Sequence, residues 1–144
     1  MSQLKVWKIT SLKIDMRILL DTHTFIWLGT GDLSKVGEKA IEAYQNTENS
    51  VFVSMVSFWE MAIKLNIGKL TLSKPLEELI KSTELSGIAI LPISCDHIIN
   101  YQNLPLHHND PFDRLIISTA YVEKMTVLSR DPHFSSYENL SVLW

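Results

Sequence analysis

The sequence predicts a three-layer α/β/α domain on a central five-stranded, mostly parallel sheet, and three observations predict it. The chain has 144 residues, 46% hydrophobic and 20% charged, which suits one globular domain with a substantial core. Five short apolar runs of strand length alternate with segments of helical spacing, the layout of a parallel sheet with helices on both faces. Acidic residues follow the first and fourth of these runs, at the strand ends where open parallel sheets bind their ligands.

Residues 1–15 read as an N-terminal extension, an edge strand or a tail, and residues 16–144 as the domain. Arg17–Leu20 is a first, buried strand ending on Asp21, and Thr22–Leu28 a short helix. Ser34 opens a helical stretch through Ala43, with Val36, Ala40, Ile41 and Tyr44 at helical spacing. Val51–Val53 is the second strand. Ser54 is a fitting cap for a helix that carries Val56, Trp59, Ile63 and Ile67 and ends before Gly68. Pro75 suits a first helical turn, with Leu76, Leu79 and Ile80 on the buried side. Ile88–Ile93 is the third strand, followed by a helix near Asp96–Gln102. Asp110 caps, and Pro111 begins, a helix that runs to about Lys124. Met125–Leu128 and Ser141–Leu143 complete the sheet.

Composition removes several classes of function. A net charge of −3 gives no global basic signature, so a nucleic-acid partner has to be held by a local patch. Cys95 is the only cysteine, which excludes an internal disulfide and a Cys-based zinc cluster; it reads as a small core residue. No apolar run approaches the roughly 20 residues that cross a bilayer. Lys5, Lys8 and Lys13 are not followed by the continuous apolar core of a signal peptide, and the protein reads as cytoplasmic. The glycine signatures GxGxxG, GxxxxGK[ST] and GxSxG do not occur.

The position of the acids carries the chemistry. Asp21 closes the first strand and Asp131 lies just past the fourth, so both face one crevice if these strands flank a switch point. Glu60 and Asp113 each sit early in a helix and project toward the same end. Four carboxylates in one crevice repel one another unless a cation neutralises them, and hard oxygen donors suit Mg²⁺ or Mn²⁺. Each acid also has a plainer reading. Asp21 and Asp131 are good turn or cap residues, Glu60 has capping-box spacing from Ser57, and Asp113 complements a helix dipole. Arg114 and Arg130 flank proposed ligands and could clamp phosphate. Lys64 offers a further nucleic-acid contact or a surface ion pair, and Arg114 has an alternative partner in Asp110 at i,i+4 spacing. His107 and His108 are adjacent and diverge, and neither HxH nor HExxH occurs, so a histidine zinc site is disfavoured.

Four segments, LLDTHTFIWL (19–28), VSMVSFWEMAIKLNIGKL (53–70), LPLHHNDPFDRLIISTA (104–120) and VLSRDPHF (127–134), resemble the PIN-domain family. Within it they resemble the VapC-type toxin ribonucleases of bacterial type II toxin–antitoxin pairs. The leading residues 1–15 depart from that family's usual start. The resemblance implies a Mg²⁺- or Mn²⁺-dependent endoribonuclease whose four acids fall on Asp21, Glu60, Asp113 and Asp131. Asp110 matches a further acid of the subgroup motif and is expected to cap its helix and stand behind the ligands. The resemblance also implies an RNA substrate, a homodimer and a small inhibiting antitoxin. The expected reaction is hydrolysis of an RNA phosphodiester by a metal-activated water.

Two other classes compete. A nuclease acting on DNA or structured nucleic acid would use the same acids, and a non-catalytic interaction protein would not need all four. A phosphate-accepting receiver domain fits poorly, because the third strand ends in Pro92-Ile93-Ser94 without an acceptor acid.

Overall fold

Ile18, Leu19 and Leu20 are fully buried in β1 (Arg17–Leu20), and their alternation divides the core in two. In the computed structural model, which describes residues 15–144, Ile18 and Leu20 join one apolar cluster and Leu19 the other. Successive side chains of a strand point to opposite faces, so the central strand feeds both layers. Apart from Asp15, the expected extension over residues 1–15 lies outside the described residues.

β1 is flanked by β2 (Ser50–Ser54) and β4 (Thr126–Leu128), with β3 (Ala89–Leu91) and β5 (Val142–Leu143) outermost. The order is β3-β2-β1-β4-β5 and every pairing is parallel. Chain progression reverses between β1 and β4, which makes that junction the switch point of the sheet. Leu20 is level with Val53 on one side and Leu128 on the other. One residue on, Asp21, Ser54 and Ser129 therefore emerge side by side at the same edge.

Among the described residues, six α-helices cover the two faces. α1 (Thr22–Thr30), α2 (Glu38–Gln45) and α3 (Met55–Asn66) bury Phe25, Ala40, Ala43, Phe58 and Met61 in the first cluster, with α4 (Leu76–Leu85) packed alongside. α6 (Pro111–Glu123) buries Ile116, Ile117 and Ala120 in the second, with Phe134 and Tyr137. α5 (Cys95–Gln102) lies on α6, where Ser118 Oγ donates to the His97 carbonyl at 2.6 Å. The three-layer parallel α/β/α architecture is as expected. No helix among the described residues is long and apolar enough to cross a membrane.

Several local expectations need correction. The helix expected from Ser34 to Ala43 is split into a 3₁₀ turn at Leu33–Lys35 and α2, which starts after Gly37. Ser34 Oγ donates to Asp32 Oδ1 at 2.7 Å, and that local bond replaces a helical N-cap. Gly37 lies against Trp144, so close that a Cβ would meet its backbone at 2.7 Å. α1 runs two residues further than expected and stops at Gly31, whose φ of 76° is left-handed. Trp59 and Ile67 are 58% and 57% exposed and are not on the buried face of α3. Cys95 opens α5 on the surface and is not a core residue.

Candidate active site

Asp21 is 4% exposed and does two things at once. Its Oδ1 caps α1 by accepting from the Thr24 amide at 2.8 Å, and its Oδ2 accepts from Ser129 Oγ at 2.6 Å. Burial pushes its carboxyl above the usual range, against the opposing hydrogen bonds from Ser129 and Thr24. The cap and the crevice position expected from the sequence coincide in one side chain.

Glu60 projects from the body of α3 and is 2% exposed. Ser54 caps that helix through the Val56 amide at 3.1 Å, while Ser57 Oγ pairs with Thr22 Oγ1 at 2.9 Å and ties α3 to α1. A capping box from Ser57 to Glu60 is thereby removed. Lys64 Nζ, one turn on, reaches Glu60 Oε2 at 2.7 Å, so the lysine is paired to the site by a salt bridge. Glu60 Oε1 is buried without any hydrogen-bond partner.

Asp113 stands in the first turn of α6. Asp110 caps that helix, its Oδ1 accepting from the amides of Phe112 at 2.8 Å and Asp113 at 3.1 Å. Burial, then the negative charges of Asp110, Asp21, Glu60 and Asp131, push the Asp113 carboxyl up to about 8. These four neighbours come from four separate points of the sequence. The fold brings Asp21, Glu60 and Asp131 within electrostatic reach of Asp113, and Asp110 caps the helix that carries it.

Asp131 sits in the loop after β4. Its Oδ1 accepts from the His133 amide at 2.9 Å and from His133 Nδ1 at 2.8 Å. Its Oδ2 accepts from His108 Nε2 at 2.8 Å. Burial alone would raise this carboxyl, but the bonds from His133 and His108 outweigh it and hold it below the usual range. His108 Nε2 also lies 3.1 Å from Asp113 Oδ2. Ser129 Oγ, which donates to Asp21, accepts from the Asp131 amide at 3.1 Å. A continuous run of hydrogen bonds thus links Asp21, Ser129, Asp131 and His108, and His108 is in close contact with Asp113.

The donor set fits a hard divalent cation. It is made of carboxylate oxygens, one of them buried and unpartnered, and a cation relieves the mutual repulsion that, after burial, raises Asp113. Donor atoms of His108, Asp131 and His133 also lie within 4.8 Å of one another. His108 is nevertheless poorly placed as a ligand. The Asp110 amide donates to its Nδ1 at 3.1 Å, so the hydrogen of the neutral ring is on Nε2, the nitrogen that faces the carboxylates.

The expected basic contacts separate. Arg130 is exposed, lies over the Trp27 ring at 4.8 Å, and lines a cleft of about 290 Å³ with Asp21, His23, Trp27, Asp131 and Pro132. Arg114 turns the other way and is 6% exposed. Its Nη1 donates to the Pro105 carbonyl at 2.8 Å and to Tyr137 Oη at 3.2 Å, and its guanidinium lies over Tyr101. It clamps the loop before α6 from within, in place of the expected phosphate contact or pairing with Asp110. Sequence reasoning passed over Ser129 and set His108 and His133 aside with the disfavoured histidine zinc site. Ser129, level with Asp21 in the register, was the one of these with a signal: a small hydroxyl closing an apolar strand.

A PIN domain model matches residues 18–140. No protein with a curated description matches the sequence. Among solved structures, the chain is similar to VapBC2 from Rickettsia felis bound to a promoter DNA fragment, at 19% identity and TM-score 0.65 over 89% of this chain and 98% of that one. It is similar to FitAcB from Neisseria gonorrhoeae at 21% identity and TM-score 0.61, over 88% and 96% of the two chains. VapBC-5 from Mycobacterium tuberculosis, of the VapBC family of toxin–antitoxin systems, matches at 15% identity and TM-score 0.53 over 88% and 95%. At such identities the likeness is one of fold.

Proposed function

The chain belongs to the PIN-domain family, and from that premise we propose that it is a divalent-metal-dependent endoribonuclease, the toxin of a type II toxin–antitoxin pair. The observation that carries the reading is the convergence of Asp21, Glu60, Asp113 and Asp131 at the switch point, with Asp113 raised to about 8 by its neighbours.

Asp21 and Asp113 would hold a Mg²⁺ or Mn²⁺ ion directly, with Glu60 and Asp131 completing the site directly or through water. Such an ion, when bound, supplies Lewis acidity at the phosphoryl oxygens and brings the pKa of a bound water toward neutrality. The chain's own residues do the remaining work. Ser129 and the Thr24 amide fix the Asp21 carboxylate, and Lys64 steadies Glu60. Arg130 offers a solvent-facing cation beside the cleft for the RNA backbone. Attack by water in line with the ribose 3′-oxygen breaks the P–O3′ bond and leaves 5′-phosphate and 3′-hydroxyl ends, with no part for the 2′-hydroxyl.

The partner half of the proposal rests on the fold shared with VapBC complexes and on exposed apolar side chains. Met55 and Trp59, one turn apart on α3, are 48% and 58% exposed, and Trp59 stands edge-on to Phe112 at 5.3 Å. Such residues suit a docked antitoxin helix or a second copy in a homodimer. The protein would act on RNA in the cytoplasm.

Matched RNA and DNA incubated with Mg²⁺, and then with EDTA, test the reading. RNA is expected to be cut only with the metal, and Asp21→Asn is expected to lower the rate at least 100-fold while circular dichroism stays unchanged. Cleavage that survives EDTA or Asp21→Asn would overturn the metal assignment, and preferential cleavage of DNA would overturn the substrate.

A further inference from the structure

We infer that His108 is a positioning residue of this site: held as one tautomer, it spans Asp113 and Asp131 and fixes the spacing of these two carboxylates. The inference deepens the reading above and rests on it.

Its first support is the ring's orientation. A backbone amide is a donor only, so the Asp110 amide at 3.1 Å makes Nδ1 the acceptor and leaves the hydrogen on Nε2. That N–H donates to Asp131 Oδ2 at 2.8 Å, and Asp113 Oδ2 lies 3.1 Å from the same nitrogen, so one ring nitrogen touches both carboxylates.

The second support is what the bridge joins. Asp113 belongs to α6 and Asp131 to the loop after β4, so His108 connects side chains carried by different elements. Two carboxylates in one cleft repel, and a polarised N–H whose nitrogen lies within 3.1 Å of both opposes their separation without occupying their remaining lone pairs.

The third support is the rigidity of the ring itself. The side chain is 12% exposed and meets Phe134 edge-on at 5.9 Å. The His108 amide donates to Tyr137 Oη at 3.1 Å, and Tyr137 Oη in turn donates to the Pro105 carbonyl at 3.0 Å. The ring is anchored on both sides of its Cα, as a positioning group requires.

The test uses two amide replacements on the full chain. His108→Asn keeps an acceptor near Nδ1 for the Asp110 amide but has nothing at the Nε2 position. His108→Gln carries its amide to that position. Mn²⁺ affinity, measured by calorimetry without RNA, is expected to fall about 10–100-fold in His108→Asn, the usual effect of losing a group that orients ligands. His108→Gln is expected to recover most of that loss, with melting temperatures in EDTA confirming that both variants fold. Should His108→Asn not fold, His108→Phe repeats the comparison with a ring and no donor. Mn²⁺ affinity unchanged in His108→Asn, or reduced equally in Asn and Gln, overturns the inference. Asp21→Asn is the control. If it abolishes Mn²⁺ binding while His108→Asn does not weaken it, only the bridge falls; if Asp21→Asn also binds normally, the metal site falls with it.

Discussion

At the scale of the residue, Asp113 concentrates the electrostatics of the cleft. Its carboxyl, pushed up to about 8, takes up a proton on folding wherever the unfolded chain would not, from about pH 4 to about pH 8. The resulting stability is complete below the unfolded value and is lost as pH rises through about 8. Asp21 is shifted in the same direction, whereas Asp131, shifted down, gives stability above its unfolded value that disappears on acidification. In EDTA the melting temperature is therefore expected to fall between pH 5 and pH 8, and Asp113→Asn to flatten that fall and melt higher at pH 8. Parallel melting curves for the two proteins would refute the coupling. Cation affinity should rise over the same interval, because the proton must leave Asp113 first. The acids could be found from the sequence because each is tied to a strand end or helix start. His108 could not, since its role depends on Asp131, far along the chain. Arg114 misled for a geometric reason. Successive helical residues diverge by about 100°, so the neighbour of a cleft residue can face the core.

At the scale of the element, helix starts deliver the site. Asp21 caps α1, Ser54 caps α3 and Asp110 caps α6, each immediately before a helix that lines the cleft. Asp110→Ala is expected to destabilise the protein by about 1 kcal/mol and Asp110→Asn by much less, since asparagine caps as well as aspartate. Denaturant unfolding at constant slope measures both, and equal losses would show that charge matters here and capping does not. These starts were legible because caps and Pro111 are local signals. Strand lengths were less so: β4 has three residues and β5 two, too few for periodicity to define. The close packing of Trp144 on Gly37 was also hidden, because it brings the far end of the chain against the start of α2.

At the scale of the molecule, strand order makes a site of residues that are far apart in sequence. Only the β1–β4 junction sets Asp21 beside the loop of Asp131, and that junction follows from the order β3-β2-β1-β4-β5. A cation bound at this junction links folding to its concentration. At 100 times its Kd, Mg²⁺ should stabilise the native chain by about 2.7 kcal/mol, a rise of several degrees in melting temperature. EDTA should reverse the rise and Asp21→Asn should abolish it; a wild-type protein whose melting is indifferent to Mg²⁺ would contradict the linkage. Arg114 gives the cleft a further property. By holding the carbonyls of Leu104, Pro105 and His108 from inside, it fastens the loop that carries His108 before any ligand arrives. Most of the conformational entropy of assembling the cleft is then surrendered during folding, and association at the cleft has correspondingly little ordering left to do.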